Sequence, residues 1–142
     1  MPILTATRGL PGSGKSTWAR EQQAADPSIV IVSKDDLRRL LFASDPFYSP
    51  EREELVCQIR DSVISIALSE GRDVVVHDCN GNPKHIARFE QLAYAYEAQF
   101  TIQDFYVPVG VCIERDAGRP SGEQVGEEVI RRMARAFELV TV

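Results

Sequence analysis

The feature that most constrains this chain is a glycine-rich stretch near its N-terminus, Gly9-Leu10-Pro11-Gly12-Ser13-Gly14-Lys15-Ser16-Thr17. Its spacing matches the pattern G-x-x-x-x-G-K-[ST], in which backbone N–H groups surround phosphates, the lysine adds positive charge and the hydroxyl reaches Mg²⁺. Residues 3–7 are suited to a strand and residues 16–25 to a helix, which is the order that the pattern requires and a simple glycine-rich hairpin turn does not. The stretch therefore predicts a nucleotide phosphate site formed by Gly12, Ser13, Gly14, Lys15, Ser16 and Thr17.

Composition limits the remaining possibilities. With 142 residues, 44% of them hydrophobic and 26% charged, we expect one globular domain spanning residues 1–142. The net charge of −5 disfavours a continuous basic surface for duplex nucleic acid but allows a local basic site. Three widely spaced cysteines, without a C-x-x-C pair, predict free thiols in a reducing compartment. No segment approaches the ~20 apolar residues that span a bilayer, so we expect a cytoplasmic protein without a membrane partner.

Strand patterns alternate with helix patterns along the chain. Further strands are predicted over residues 28–32, 73–78 and 100–107, and further helices over 34–42, 50–71, from 83 and over 108–115. A polar loop is predicted at 43–49, and a Gly/Pro-rich lid at 117–122. Ser121 and Gln124 predict a capping box for a last helix with Val125, Val129, Met133 and Phe137 on one face. This order predicts an α/β fold with four parallel strands and helices on both faces of the sheet.

In such a sheet, ligands bind at the carboxyl ends of the strands. Polar residues follow three of the predicted strands there: Asp35, Arg38, Asp78, Asn80, Arg115 and Arg119. We predict that Asp35 accepts the proton of an attacking hydroxyl and that Arg38 contacts an anionic group of the acceptor. Asp78 is predicted to hold Mg²⁺ with Ser16.

Structural roles remain open for several of these residues. Asp35 and Asp36 can stabilise a helix N-terminus, and Asp78 can belong to a turn. Arg119 lies in the lid, where arginine can reach the transferring phosphoryl group, whereas Arg115 can equally lie on a solvated helix surface. Packing or surface roles are the more favoured interpretation of the two histidines, His77 and His85, because they lack metal-ligand spacing.

Several motifs together carry a family resemblance. Five stretches occur in this order: residues 9–21, Lys34-Asp35-Asp36-Leu37-Arg38, Asp78-Cys79-Asn80-Gly81-Asn82-Pro83, Val107-Pro108 and residues 129–133. The chain thereby resembles, over nearly its whole length, the kinase domain of bacteriophage 5′-hydroxyl polynucleotide kinases. It departs from that pattern at Cys79, where the family has Thr, at Lys34, where it has Arg, and at Gly81, where it has an apolar residue.

The resemblance implies a P-loop kinase fold and transfer of the ATP γ-phosphoryl to a 5′-OH end of DNA or RNA. Lys15 and Ser16 would hold the β-phosphate and Mg²⁺, and Asp35 would be the general base. Arg38 would contact the acceptor phosphate and Arg119 the γ-phosphoryl group, while Asp78 and Asn80 would lie in the acceptor site and Arg115 near ATP. No phosphatase domain occurs within 1–142, so a ligase or phosphatase is expected as a repair partner, in the host cytoplasm if the protein is phage-encoded.

Two other functions remain open at this point. A kinase of a small hydroxylated metabolite would use the same fold and a similar aspartate, but would not need Arg38 to meet a nucleic-acid phosphate. A nucleotide-dependent switch or interaction module would not transfer phosphate. A GTPase switch is disfavoured because the sequence contains no N-K-x-D element for guanine.

Overall fold

The fold is described by a computed structural model that covers residues 1–43 and 49–137. Its strands are β1 (Ile3–Arg8), β2 (Val30–Val32), β3 (Val74–Val76) and β4 (Gln99–Asp104). Its α-helices are α1 (Lys15–Ala25), α2 (Lys34–Phe42), α3 (Pro50–Ser69), α4 (Pro83–Ala95), α5 (Val109–Ala117) and α6 (Glu127–Phe137). Two predictions lie outside the described residues. They are most of the loop predicted at 43–49 and the side chain of Phe137, which was predicted on the apolar face of the last helix.

The four strands form one parallel sheet in the order β2-β3-β1-β4. Leu4 pairs with Val74 on one side of β1 and with Phe100 on the other. The predicted α/β fold with a four-stranded parallel sheet is confirmed. Because all the strands run in the same direction, the loops that follow them gather at one edge of the sheet, where the predicted site residues lie.

Strand β2 is shorter than the sequence pattern predicts. Residues 28 and 29 belong to a turn, since Asp26 accepts hydrogen bonds from the Ser28 backbone N–H and hydroxyl through Oδ1 and from the Ile29 N–H through its carbonyl. An aspartate side chain that bonds to the backbone two residues later competes with strand formation. The apolar residues Val30, Ile31 and Val32 alone pair with β3.

The main core lies between the sheet and two helices. Leu4 and Ala6 of β1 and Val74 and Val76 of β3 are fully buried, and they join a cluster that includes Ile64 of α3 and Phe89 and Leu92 of α4. Alternate residues of a strand point to the same face, so these four side chains share one surface of the sheet. This packing fixes the positions at which β1 and β3 end.

A smaller cluster connects the glycine-rich loop to the last two helices. Leu10 of the loop packs with Cys112 of α5 and Ile130 of α6, and each of the three is at most 2% exposed. The cluster is separate from the main core and holds α5 against the loop. The segment between α5 and α6 therefore starts and ends beside the phosphate site.

The predicted capping box at the start of the last helix is wrong. Ser121–Glu123 form a 3₁₀ turn, and α6 begins only at Glu127. Val125 therefore precedes the helix. Gln124 instead donates from Nε2 to the carbonyls of Ala117 and Arg119. The buried carboxylate of Asp116 accepts the N–H groups of Val125 and Gly126, and this long-range contact takes the place of a local cap.

In the part of the chain that the structure describes, no helix is both long enough and apolar enough to cross a membrane.

Candidate active site

The phosphate loop is shaped by close backbone contacts at its glycines. A Cβ atom at Gly9 would lie 2.9 Å from Cβ of Phe105, and one at Gly12 would lie 2.7 Å from the carbonyl oxygen of Cys112. Gly12 and Gly14 also have φ angles of 84° and 100°, in the left-handed region where a side chain causes strain. Only glycine fits these positions, so the loop turns tightly into the N-terminus of α1.

Lys15 lies across this loop and is 7% exposed. Its Nζ donates to the carbonyl of Leu10 at 2.6 Å and lies 3.4 Å from Oγ of Ser13. The ammonium group therefore lies within the loop itself, beside the N-terminus of α1, where the positive end of the helix dipole favours an anion. Burial raises the pKa of the nearby Cys79 thiol, and the charge of Lys15 acts against that rise.

The two arginines after β4 lie beside the loop. A pocket of about 410 Å³ is lined by Gly12, Gly14, Thr17, Trp18, Glu21, Arg115 and Arg119. Arg115 donates from Nη1 to the carbonyl of Gly12 at 3.2 Å. Arg119 lies 3.8 Å from Asp116, the residue whose carboxylate holds the segment before α6. The structure thus brings together the loop and both arginines that the sequence predicts for the nucleotide site.

On the opposite side of the loop, α2 and α3 form a charged network. Arg38 donates from Nη1 to Asp35 at 2.7 Å, and from Nη2 and Nε to the two carboxylate oxygens of Glu53 at 2.6 and 3.1 Å. Lys34 lies 3.3 Å from the same carboxylate. Burial acts to raise the pKa of Glu53, but the hydrogen bonds and positive charges of Arg38 and Lys34 together outweigh it and hold that pKa below its usual range. Arg38 is therefore oriented by a two-point contact with Glu53.

Asp35 is the most exposed member of this network, with 76% of its side chain accessible. It lies in the first turn of α2, whose N-terminal N–H at Asp36 is capped by the Ser33 hydroxyl at 3.1 Å. Ser33, directly before the helix predicted over residues 34–42, is thus its N-cap. Because Ser33 supplies the cap, the Asp35 carboxylate is not needed for that task and faces solvent beside Arg38.

Asp78 and Asn80 lie below this surface and bond to the backbone. Asp78 Oδ1 accepts the backbone N–H of Lys34 at 2.8 Å, and burial raises the pKa of its carboxyl group. Asn80 donates from Nδ2 to the carbonyls of Thr7 and Val76 at 2.8 and 3.4 Å. These bonds tie the ends of β1 and β3 to the start of α2. Asp78 Oδ2 and Asn80 Oδ1 are buried and make no hydrogen bond within the described residues.

His77, directly after β3, contacts Ser16 of the phosphate loop. Its side chain is 1% exposed, and its Nδ1 lies 3.0 Å from Oγ of Ser16. On the other side of the ring, Nε2 lies 3.4 Å from Oδ2 of Asp36 and makes no hydrogen bond within the described residues. Burial lowers the pKa of His77, while the charge of Asp36 acts in the opposite direction.

Comparison with known proteins assigns the chain to a family. A family model described as "AAA domain" matches residues 4–140. The chain belongs to this AAA domain family. A protein of Autographa californica nuclear polyhedrosis virus, described as "Putative bifunctional polynucleotide kinase/RNA ligase", is 25% identical over 141 residues, which cover 91% of this chain and 20% of that protein.

Solved structures extend the comparison. The Pnkp1/Rnl/Hen1 RNA repair complex contains a chain that is 26% identical, with a TM-score of 0.82, over 96% of this chain and 44% of that one. The APS kinase CysC of Mycobacterium tuberculosis, solved with AMPPNP and APS, shares the fold at 22% identity and a TM-score of 0.64, over 96% of this chain and 75% of that one. The present chain spans only about a fifth of the viral relative and less than half of the repair-complex chain.

The AAA-family chain therefore has a P-loop kinase-like fold, and that fold implies that it binds ATP. The resemblance to polynucleotide kinases is also confirmed. The sequence correctly indicated which residues gather at the edge of the sheet, but it missed two of them. Glu53 lies 15 residues after Arg38, and nothing in the sequence pairs the two. His77 was given a packing or surface role, although alternation along β3 would direct it and Asp78 to opposite sides.

Magnesium would have to be held by few protein atoms in this AAA-family site. Within residues 1–43 and 49–137, no group of at least three His, Cys, Asp or Glu side chains is placed to hold a metal ion. Mg²⁺ in kinase sites keeps several waters and uses one or two protein oxygens together with substrate phosphates. The Ser16 hydroxyl at the phosphate loop fits that requirement, and the unpartnered Asp78 Oδ2 is a second oxygen of the right type.

Proposed function

We propose that this domain transfers the γ-phosphoryl group of ATP to the 5′-hydroxyl end of a nucleic acid. The observation that carries the proposal is the pair Asp35 and Arg38, joined at 2.7 Å on the exposed surface of α2, at the edge of the sheet that also carries the phosphate loop. A carboxylate and a guanidinium so close together can engage a hydroxyl and a neighbouring phosphate of the same acceptor. The likeness to proteins named as polynucleotide kinases supports this acceptor class.

The donor side of the proposal uses the residues around the 410 Å³ pocket. The backbone N–H groups of Gly12 and Gly14 and the ammonium group of Lys15 would hold the phosphates of ATP. Arg119 and Arg115 would neutralise charge on the transferring phosphoryl group from the lid side. Phosphoryl transfer needs little covalent assistance, so positioning and charge neutralisation supply most of the rate enhancement.

The acceptor side depends on α2. The Asp35 carboxylate would accept the proton of the 5′-hydroxyl, a role that general bases fill with gains of roughly 10² to 10⁴-fold. Arg38, oriented by Glu53, would bind the phosphate next to the terminal nucleoside. Asp78 would fix the start of α2 through the Lys34 N–H, which supports the position of the adjacent Asp35, and Asn80 would keep β1 and β3 together beneath the acceptor.

Mg²⁺ would be held by Ser16, with Asp78 as the second candidate oxygen. When bound with ATP, the ion would neutralise negative charge on the phosphates. Ser16 lies in the first turn of α1, and its Oγ lies 3.0 Å from Nδ1 of His77.

The biological setting that we propose is repair of broken nucleic-acid ends. The viral relative is described as a bifunctional polynucleotide kinase/RNA ligase, and the similar solved chain belongs to the Pnkp1/Rnl/Hen1 RNA repair complex. A domain that generates 5′-phosphate ends makes the substrate that a ligase uses. A ligase, or a phosphatase that removes 3′-phosphates, is therefore the partner expected for this chain.

A second candidate is a kinase of a small hydroxylated metabolite. The fold shared with the APS kinase supports it, since that protein was solved with APS, a small acceptor. Such a kinase would have no use for an Arg38 that reaches beyond the hydroxyl to a neighbouring phosphate. The two functions therefore differ in whether Arg38 acts on a nucleic-acid phosphate.

The test is transfer of labelled γ-phosphate from ATP, with Mg²⁺, to short DNA and RNA oligonucleotides that have either a 5′-OH or a 5′-phosphate end. We expect label only on 5′-OH ends. Adenosine 5′-phosphosulfate serves as the metabolite acceptor in a parallel reaction. Label on the metabolite, with none on any oligonucleotide, would overturn the proposal in favour of the second candidate.

A further inference from the structure

Ser16 faces a hydrogen-bonding constraint when it binds a metal ion. A serine hydroxyl has one hydrogen and two lone pairs, and metal coordination uses a lone pair. The hydrogen must then point away from the ion to an acceptor on the protein. Unless such an acceptor exists, the hydroxyl can rotate and turn its hydrogen toward the site.

His77 is placed to be that acceptor. Its Nδ1 lies 3.0 Å from Ser16 Oγ, and the ring is enclosed, with 1% of the side chain exposed. A ring so enclosed keeps its orientation, because the surrounding atoms leave no room for another rotamer. The end of β3 therefore fixes the position of Nδ1 relative to the Ser16 hydroxyl.

Nδ1 can accept the Ser16 hydrogen only when the proton of the neutral ring is on Nε2. The carboxylate of Asp36 lies on the Nε2 side, 3.4 Å away. Negative charge there stabilises a proton on Nε2, which leaves the lone pair of a neutral ring on Nδ1. Asp36 itself is held by Arg39, whose Nη2 donates to Oδ1 at 2.6 Å, and by Ser33, whose hydroxyl accepts its backbone N–H.

We propose that His77 is a positioning residue that accepts the hydroxyl hydrogen of Ser16, with Asp36 setting the ring's tautomer, so that Ser16 presents a lone pair to the Mg²⁺ of Mg·ATP. The chain of contacts runs from α1 through β3 to α2. It joins the donor loop to the helix turn that also carries Asp35. The inference rests on the Mg·ATP site of the proposed function and does not depend on which acceptor is phosphorylated.

The test measures how much Mg²⁺ strengthens binding of a non-hydrolysable ATP analogue. Trp18 lines the nucleotide pocket and is the only tryptophan of the sequence, so its fluorescence reports binding without any acceptor. Affinities are measured with Mg²⁺ and with EDTA for the wild type and for His77→Ala, His77→Asn and Ser16→Ala. We expect His77→Ala to reduce the Mg²⁺-dependent gain about 10-fold, the size of effect seen when a metal ligand loses its orienting partner.

The conservative variant and a double variant separate positioning from a structural role. His77→Asn keeps an acceptor near Nδ1, so it should recover most of the gain. If His77 acts through Ser16, then His77→Ala should have no further effect on the gain in a Ser16→Ala background. Equal loss of affinity with Mg²⁺ and with EDTA, or additive losses in the double variant, would overturn the inference.

Two further measurements keep the outcome clear. If His77→Ala does not fold, as its melting curve would show, Asp36→Asn tests the same contact with the ring still present. A loss of the Mg²⁺-dependent gain that is smaller than the one expected for His77→Ala would support the inference, and an unchanged gain would contradict it. Because no nucleic acid is used, failure of transfer to 5′-OH ends leaves this result unaffected, and failure here leaves the choice of acceptor unaffected.

Discussion

At the scale of single residues, Arg38 shows how a fixed geometry prepares a side chain for an acceptor. Its guanidinium has five N–H donors, and hydrogen bonds to Asp35 and Glu53 account for three of them among the contacts of the described residues. Glu53 holds one edge of the planar group, which prevents it from rotating. The other donors can then meet an acceptor phosphate at little entropic cost.

We predict that Arg38→Ala raises the KM for a 5′-OH oligonucleotide at least about 10-fold, since a hydrogen bond to a charged group contributes roughly 1.5–3 kcal/mol. The KM for ATP should change much less. Steady-state kinetics with each substrate varied in turn measure both values. Arg72→Ala is the matched control, because Arg72 is exposed and precedes β3 at the opposite edge of the sheet. A rise confined to the ATP KM would move Arg38 into the donor site.

His85 gives a prediction about pH and stability. Burial lowers its pKa to about 4, and the charges of Lys34 and Arg60 act in the same direction. In the unfolded chain a histidine titrates near its ordinary pKa of about 6.5, so between these values the unfolded state binds more protons. The free energy of unfolding should therefore fall as the pH is lowered from about 7 toward 5.

Urea unfolding at pH 7.0, 6.0 and 5.0 measures this effect. His85→Gln should flatten the pH dependence, and part of the slope should remain because the pKa of His77 is also lowered. The comparison with wild type at each pH removes the direct effect of the substitution on packing. A slope that His85→Gln leaves unchanged would show that His85 is not the titrating group.

At the scale of secondary-structure elements, the lid between α5 and α6 depends on Asp116. Its side chain is 3% exposed, and its two oxygens accept the N–H groups of Val125 and Gly126, each at 2.9 Å. The segment between these contacts carries Arg119. Asp116 thus positions the lid without itself facing the phosphate loop's pocket.

We predict that Asp116→Asn lowers the free energy of unfolding by about 1–3 kcal/mol, because an amide has one oxygen and one of the two N–H groups loses its charged acceptor. The kcat for transfer should fall as well, since Arg119 loses its fixed position. Urea unfolding and steady-state kinetics measure the two effects. Asp26→Asn, at an exposed turn on the other side of α1, is the control. Normal stability and kcat in Asp116→Asn would contradict this account of the lid.

The elements also show what could be predicted from the sequence. The starts of α2 and α3 have local signals in the sequence, a capping serine at Ser33 and a capping serine at Ser49 followed by Pro50, because caps act on residues three positions away. The start of α6 did not, because the two residues before it, Val125 and Gly126, donate their N–H groups to Asp116, nine and ten residues earlier. Local signals identify contacts within a turn, whereas contacts across a lid or between strands depend on the folded chain.

The same reasoning explains the candidate site. The phosphate loop and the residues after each strand were predictable because a parallel sheet brings its loops to one edge. The contacts of His77 with Ser16 and of Glu53 with Arg38 span 61 and 15 residues. Neither pair forms a sequence motif. These contacts are created by the packing of α1, β3, α2 and α3 and become visible only in three dimensions.

At the scale of the whole molecule, the charge distribution limits how nucleic acid can bind. The formal net charge is −5, and the cations of the candidate acceptor site, Lys34 and Arg38, already pair with Glu53. We therefore predict that only one or two phosphates are neutralised, with a slope of about −0.7 to −1.4 in a plot of log affinity against log salt for a single-stranded 5′-OH oligonucleotide. Binding titrations between 50 and 300 mM salt, roughly the range in which such slopes are measured, test this. A much steeper slope would require an extended basic groove.

The central claim is that one edge of the sheet joins an ATP site to an Asp35 base that acts on a 5′-hydroxyl. The most direct measurement is single-turnover transfer of labelled γ-phosphate to a 5′-OH oligonucleotide by wild type and Asp35→Asn, with ATP affinity followed through Trp18. We predict that Asp35→Asn lowers the transfer rate at least about 10²-fold while ATP affinity stays nearly constant. An undiminished rate, or a loss of ATP affinity in proportion to the rate, would contradict the claim.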